Sequence, residues 1–68
     1  MTHQLDLSDA ELDLLLELLV REQRELLLEI RHTDTAKFRN GLRERLELVE
    51  SLMNRARAAQ EVSRAGTV

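Results

Sequence analysis

Cysteine is missing from the 68-residue chain, which excludes disulfides and thiolate metal sites. Proline is missing too, so no Pro marks a helix break. There is no Trp or Tyr, and Phe38 is the only aromatic residue. Single-stranded nucleic acids are gripped by stacking on aromatic platforms, and this chain has almost none to offer. The longest uninterrupted apolar runs, such as Leu14-Leu15-Leu16, are three residues. A membrane-spanning helix needs about 20. Residues 1–13 lack the basic leader and apolar run of a signal peptide. The expectation is a soluble, cytoplasmic protein with no membrane partner.

What is present is leucine, alanine and charge. Leu and Ala favour helix over sheet. A chain of this length makes one small domain. Below roughly 70–80 residues a single core seldom supplies more than about 3–5 kcal/mol, and such chains recruit staples or partners.

Helix 1 has a defined start. Ser8 is the N-cap, Glu11 completes a capping box, and Leu7 and Leu12 take the positions of a hydrophobic staple. From there an apolar seam reads Leu12, Leu16, Leu19, Gln23, Leu26, Ile30, with the steps of four and three that share one helix face. Continued in register, it meets Thr33, Lys37, Asn40 and Glu44, all polar. The apolar residues that do follow lie about one residue out of phase. They read Phe38, Leu42, Arg45, Val49, Leu52, Ala56, Ala59. A turn at His32-Thr33-Asp34-Thr35 resolves the mismatch, because short polar side chains compete with helical backbone bonds and cap new helices. The spacing predicts helix 1 over about 9–31, a turn over about 32–35 with Asp34 as the first choice of N-cap and Thr33 the second, helix 2 over about 35–60, and a frayed tail over 61–68. The fold class is all-α, an antiparallel two-helix hairpin.

Folding at position 34 pairs residues whose numbers sum to about 68. Ile30 then meets Phe38, Leu26 meets Leu42, Leu19 meets Val49, Leu16 meets Leu52, and Leu12 meets Ala56. One layer is polar: Gln23 faces Arg45. A polar layer in the core fixes register or oligomer state. Bonds from Arg45 to Gln23, to Glu22 or to a partner's acid would each satisfy it.

Both apolar arcs are wider than a two-helix seam needs. Leu15, Val20 and Leu27 flank the first seam; Leu46, Leu48 and Met53 flank the second. These six residues are expected to line an interface that joins two hairpins into a four-helix bundle, a coiled-coil-like homodimer. Leu7, Leu14 and Leu18 form a possible second contact patch for an unidentified protein. Charge is divided as well: residues 1–30 hold eight acids and two bases, residues 31–68 five acids and eight bases. Such an asymmetry selects orientation more than it adds stability.

Chemistry is thinly represented. His32 and Asp34 are too few ligands for a metal site, and none is expected. No nucleophile–base–orienter set and no glycine-rich phosphate loop occurs, so neither catalysis nor a cofactor is expected. The alternative is a small nucleic-acid-binding regulator using Lys37, Arg39, Arg43, Arg55 and Arg57. Against it stand Glu44, Glu47 and Glu50, which interrupt the basic stripe, and a net charge of −3.

The stretch Leu28-Glu29-Ile30-Arg31-His32-Thr33-Asp34-Thr35, followed by Phe38-Arg39 and Leu42-Arg43-Glu44-Arg45, resembles a pattern in short uncharacterised bacterial open reading frames. The resemblance covers roughly residues 8–55, rests on the placing of the polar turn between leucine repeats, and implies a bacterial helical hairpin without implying an activity. In general shape the chain is also similar to the plasmid copy-control RNA-binding bundles. No residue motif carries over from them, and architecture alone is no evidence of function.

Overall fold

The computed structural model describes residues 1–65, as two helices packed against each other. Helix α1 spans Asp9–His32 and helix α2 spans Ala36–Ala65. The start of α1 follows from its sequence. Ser8 Oγ accepts from Glu11 N at 3.2 Å, and Ser8 N donates to Glu11 Oε1 at 2.9 Å. Asp9 and Glu11 put negative charge at the end where the helix dipole favours it. Arg31 and His32 place bases in the last turn.

The core is small. Leu19, Leu26, Val49, Met53 and Ala56 are its buried residues. Leu15, Leu16, Val20, Leu42 and Leu46 pack against it, half-buried. The first seam is as the sequence implies: Leu12, Leu16, Leu19, Gln23, Leu26 and Ile30 are all buried or half-buried.

The second seam is rotated from the expected one. The covered residues of α2 are Arg39, Leu42, Leu46, Val49, Met53, Ala56, Gln60 and Ser63. Their steps of three and four make a heptad row. Leu46 and Met53 therefore belong to the hairpin's own core rather than to its flank, and Met53 is only 3% exposed. Arg45, Leu52 and Ala59 lie outside the seam. The physical reason is Arg45. A guanidinium is costly to bury, and a small rotation carries it to the edge, where Glu22 reaches it.

The axial register is shifted too. Gln23 bonds Glu50, Asp13 bonds Gln60, and Asp9 bonds Ser63, pairs whose numbers sum to 72 or 73 rather than 68; Glu22–Arg45 sums to 67, the long Arg45 side chain reaching along the helices. The difference is about one helical turn. Phe38 then lies level with the turn, beyond the last layer of α1, and is exposed. Helix α2 also runs past the expected end at 60. Residues 61–65 are helical rather than frayed, because Gln60 and Ser63 find polar partners on α1. The rest of the expected tail, 66–68, lies outside the described residues.

Candidate interaction surface

The turn is tied from both sides. Thr33 is the C-cap of α1, and its Oγ1 donates to the Glu29 carbonyl. Arg39 Nε and Nη2 donate to the Thr33 carbonyl at 3.3 and 2.8 Å. The carbonyls at a helix C-terminus lack intrahelical donors, and a cation from the next helix supplies one here. Sequence reading placed Arg39 in a basic stripe and missed this role. The available signal was its position three residues before Leu42, on the covered row and one turn past the junction. Asp34 does not cap α2. The Thr35 carbonyl accepts the first helical bond, from Arg39 N at 3.0 Å, so Thr35 holds the N-cap position. His32 ends α1 as an exposed residue.

The expected Gln23–Arg45 layer is not a core layer. Among the described residues no polar or charged residue is buried. Gln23 is half-buried and its Nε2 donates to Glu50 Oε2 at 3.0 Å. Arg45 has a 64% exposed side chain and its Nε donates to Glu22 Oε1 at 3.0 Å. Arg45 thus bonds the residue next to Gln23, Gln23 bonds Glu50, and the two bonds lie at opposite edges of the seam. At the open end, Gln60 Nε2 donates to Asp13 Oδ1 at 2.6 Å and Ser63 Oγ to Asp9 Oδ1 at 2.9 Å.

These bonds mark two flanks. At roughly 100° per residue, the Glu22–Arg45 edge carries the α1 row Leu15, Leu18, Glu22, Glu25, Glu29. On α2 the same edge carries Phe38, Gly41, Arg45, Leu48, Leu52, Arg55, Ala59 and Val62. Phe38, Leu48, Leu52 and Val62 there are exposed, as is Leu18. The Gln23–Glu50 edge carries Arg43, Glu47, Glu50, Asn54, Arg57 and Glu61 from α2, without an apolar residue. Its apolar contribution comes from Leu16, Val20 and Leu27 on α1.

The expected interface residues divide accordingly. Leu27 and Leu48 are exposed. Leu15, Val20 and Leu46 are half-buried against the core, and Met53 is inside it. Leu7, Leu14 and Leu18 are all exposed. A Cβ added at Gly41 meets nothing within 4 Å, so no close backbone approach within the chain accounts for that glycine.

The grooves are open. One is lined by Glu29, Thr33, Lys37, Phe38, Gly41 and Leu42 beside the turn. Among the described residues no three His, Cys, Asp or Glu side chains are grouped to hold a metal. No helix there is long and apolar enough to cross a membrane. Among the described residues one carboxyl has a displaced pKa: the hydrogen bond from the Ser8 backbone, then that with its hydroxyl, holds Glu11 below its ordinary value. No family model, no curated protein and no solved structure matches the chain.

Proposed function

We propose that the hairpin is a non-catalytic structural or protein-interaction module that works by associating with itself as a four-helix-bundle dimer. The observation that carries this is surface area. The chain exposes 5994 Å², whereas a compact monomer of 7.9 kDa is expected to expose about 4,400 Å². Its radius of gyration is 14.7 Å, against about 11 Å for a compact domain of this length. Part of the excess of roughly 1,600 Å² per chain belongs to residues 1–8, which precede α1 and are all exposed; the rest lies along the open sides of the hairpin, where a stable interface needs about 1,000 Å² in total. Burying a leucine contributes about 1.5–3 kcal/mol, and Leu18, Leu48 and Leu52 supply such surface. An isologous twofold pair is the commonest way to cover it.

Sedimentation equilibrium at tens of micromolar is the test. A dimer is expected, with a Tm that rises with protein concentration. A folded monomer under those conditions overturns the proposal. A gel shift on RNA or DNA that weakens with salt would point instead to a nucleic-acid regulator. Support for that alternative is reduced by the internal engagement of Arg39.

A further inference from the structure

The two flanks are unequal, and this bears on where a second copy sits and which way it points. We propose that the second copy docks on the Glu22–Arg45 flank with both turns at the same end, so that α1 of each copy lies against α2 of the other. This rests on the self-association reading above and adds a face and an orientation to it.

The face follows from the α2 rows. On the Gln23–Glu50 side the exposed α2 row is wholly polar. On the Glu22–Arg45 side Leu48 is 69% and Leu52 44% exposed, with Leu18 beside them on α1. A large exposed apolar patch rimmed by charge marks an interaction site.

The orientation follows from charge and level. The register set by Gln23–Glu50 and Asp13–Gln60 places Leu48, Leu52 and Ala59 beside positions 13 to 25 of α1, the stretch that holds Leu15 and Leu18. It places the Arg45 backbone between the levels of Glu25 and Glu29, with the side chain reaching to Glu22 of its own chain. With turns at the same end, apolar blocks meet apolar blocks, and Arg45 of each copy lies level with Glu25 and Glu29 of the other. With turns at opposite ends, α1 lies along α1 and α2 along α2. Helix α1 carries seven acids against three bases, and α2 carries seven bases against four acids. That arrangement aligns like charge with like charge, which opposes association.

The chain has no cysteine, so Asp34→Cys gives one labelling site, at the turn. Spin-label distances within the assembled protein separate the orientations. Turns at the same end are expected to give a separation below about 25 Å, since packed helix axes lie about 8–10 Å apart. Turns at opposite ends give roughly 40 Å, from 1.5 Å of rise per residue. The long distance in a dimer overturns the orientation and leaves self-association standing. A monomer without any intermolecular distance overturns self-association itself, and this inference with it.

The face is tested by Leu48→Glu and Leu18→Glu on the proposed side and Leu27→Glu on the other. All three residues are exposed in the single hairpin, and retained helical circular dichroism confirms that each variant folds. Loss of the dimer in the first two and its retention in the third is expected. The reverse pattern overturns the face.

Discussion

On the flank marked by Glu22 and Arg45, α2 turns Phe38, Leu48, Leu52 and Val62 to solvent. On the flank marked by Gln23 and Glu50, the same helix turns out Arg43, Glu47, Asn54 and Arg57. Both flanks border one core, so the difference is not imposed by the hairpin. It comes from an apolar arc on α2 too wide for one neighbouring helix to cover. The hairpin takes the row that contains Val49, Met53 and Ala56 and leaves the remainder on one side only. A two-helix hairpin needs a single apolar row on each helix; α2 carries a second, exposed in the hairpin.

The adjacent residues Leu52 and Met53 probe that division most strongly. Met53 is 3% exposed, so Met53→Ala should lower stability by about 2–5 kcal/mol at any protein concentration. Leu52→Ala should act mainly on the concentration-dependent part of Tm. Urea unfolding of both variants at two concentrations makes the comparison, and equal behaviour would abolish the distinction between rows.

Next in size is Arg39, whose guanidinium ties the turn that both flanks share. Arg39→Ala removes charged bonds to a carbonyl and should cost about 1.5–3 kcal/mol by chemical denaturation. A loss within a few tenths would show that the turn does not depend on that tie.

Smaller still is the ion pair that marks the apolar flank. Exposed pairs of this kind contribute about 0.2–1 kcal/mol. A double-mutant cycle on Glu22→Gln and Arg45→Gln should give a coupling in that range, reduced at high salt. A cycle on Gln23 and Glu50 should respond less to salt, because Gln23 is neutral.

The smallest expected effect lies away from both flanks, at the capping box. The folded-state pKa of Glu11 is lowered, so its contribution is present above the unfolded carboxylate pKa. It is lost as pH falls through the folded value. Glu11→Gln should flatten the helical signal of α1 across that acidic range. An unchanged acid titration would remove the carboxylate from the cap.

How far these features were legible depends on whether a residue's partner is near in sequence. The capping box is local, and Ser8 and Glu11 announced it. The α1 seam was legible because Leu12, Leu16, Leu19, Leu26 and Ile30 keep the four-and-three step of one face, with Glu17, Arg21 and Arg24 opposite. On α2, two apolar rows overlap, and the sequence of α2 alone does not rank Phe38-Arg45-Leu52-Ala59 below Leu46-Val49-Met53-Ala56. Glu22, on the other helix, breaks the tie by taking Arg45 at the edge. The end of α2 was hidden for the same reason. Gln60 and Ser63 read as polar drift until Asp13 and Asp9 stand opposite them.

The ladder of bonds between the helices has an order in time. Arg39 to Thr33 closes six positions, Arg45 to Glu22 closes 23, Gln23 to Glu50 closes 27, and Gln60 to Asp13 and Ser63 to Asp9 close 47 and 54. Closing a loop costs more as it lengthens, by about 0.6 kcal/mol per doubling. The rung at the turn forms first, and each rung shortens the closure left for the next. The hairpin therefore zips from Thr33 outward, and on opening it parts first between Asp9 and Ser63. Amide exchange should record that sequence as protection falling toward the open end of both helices.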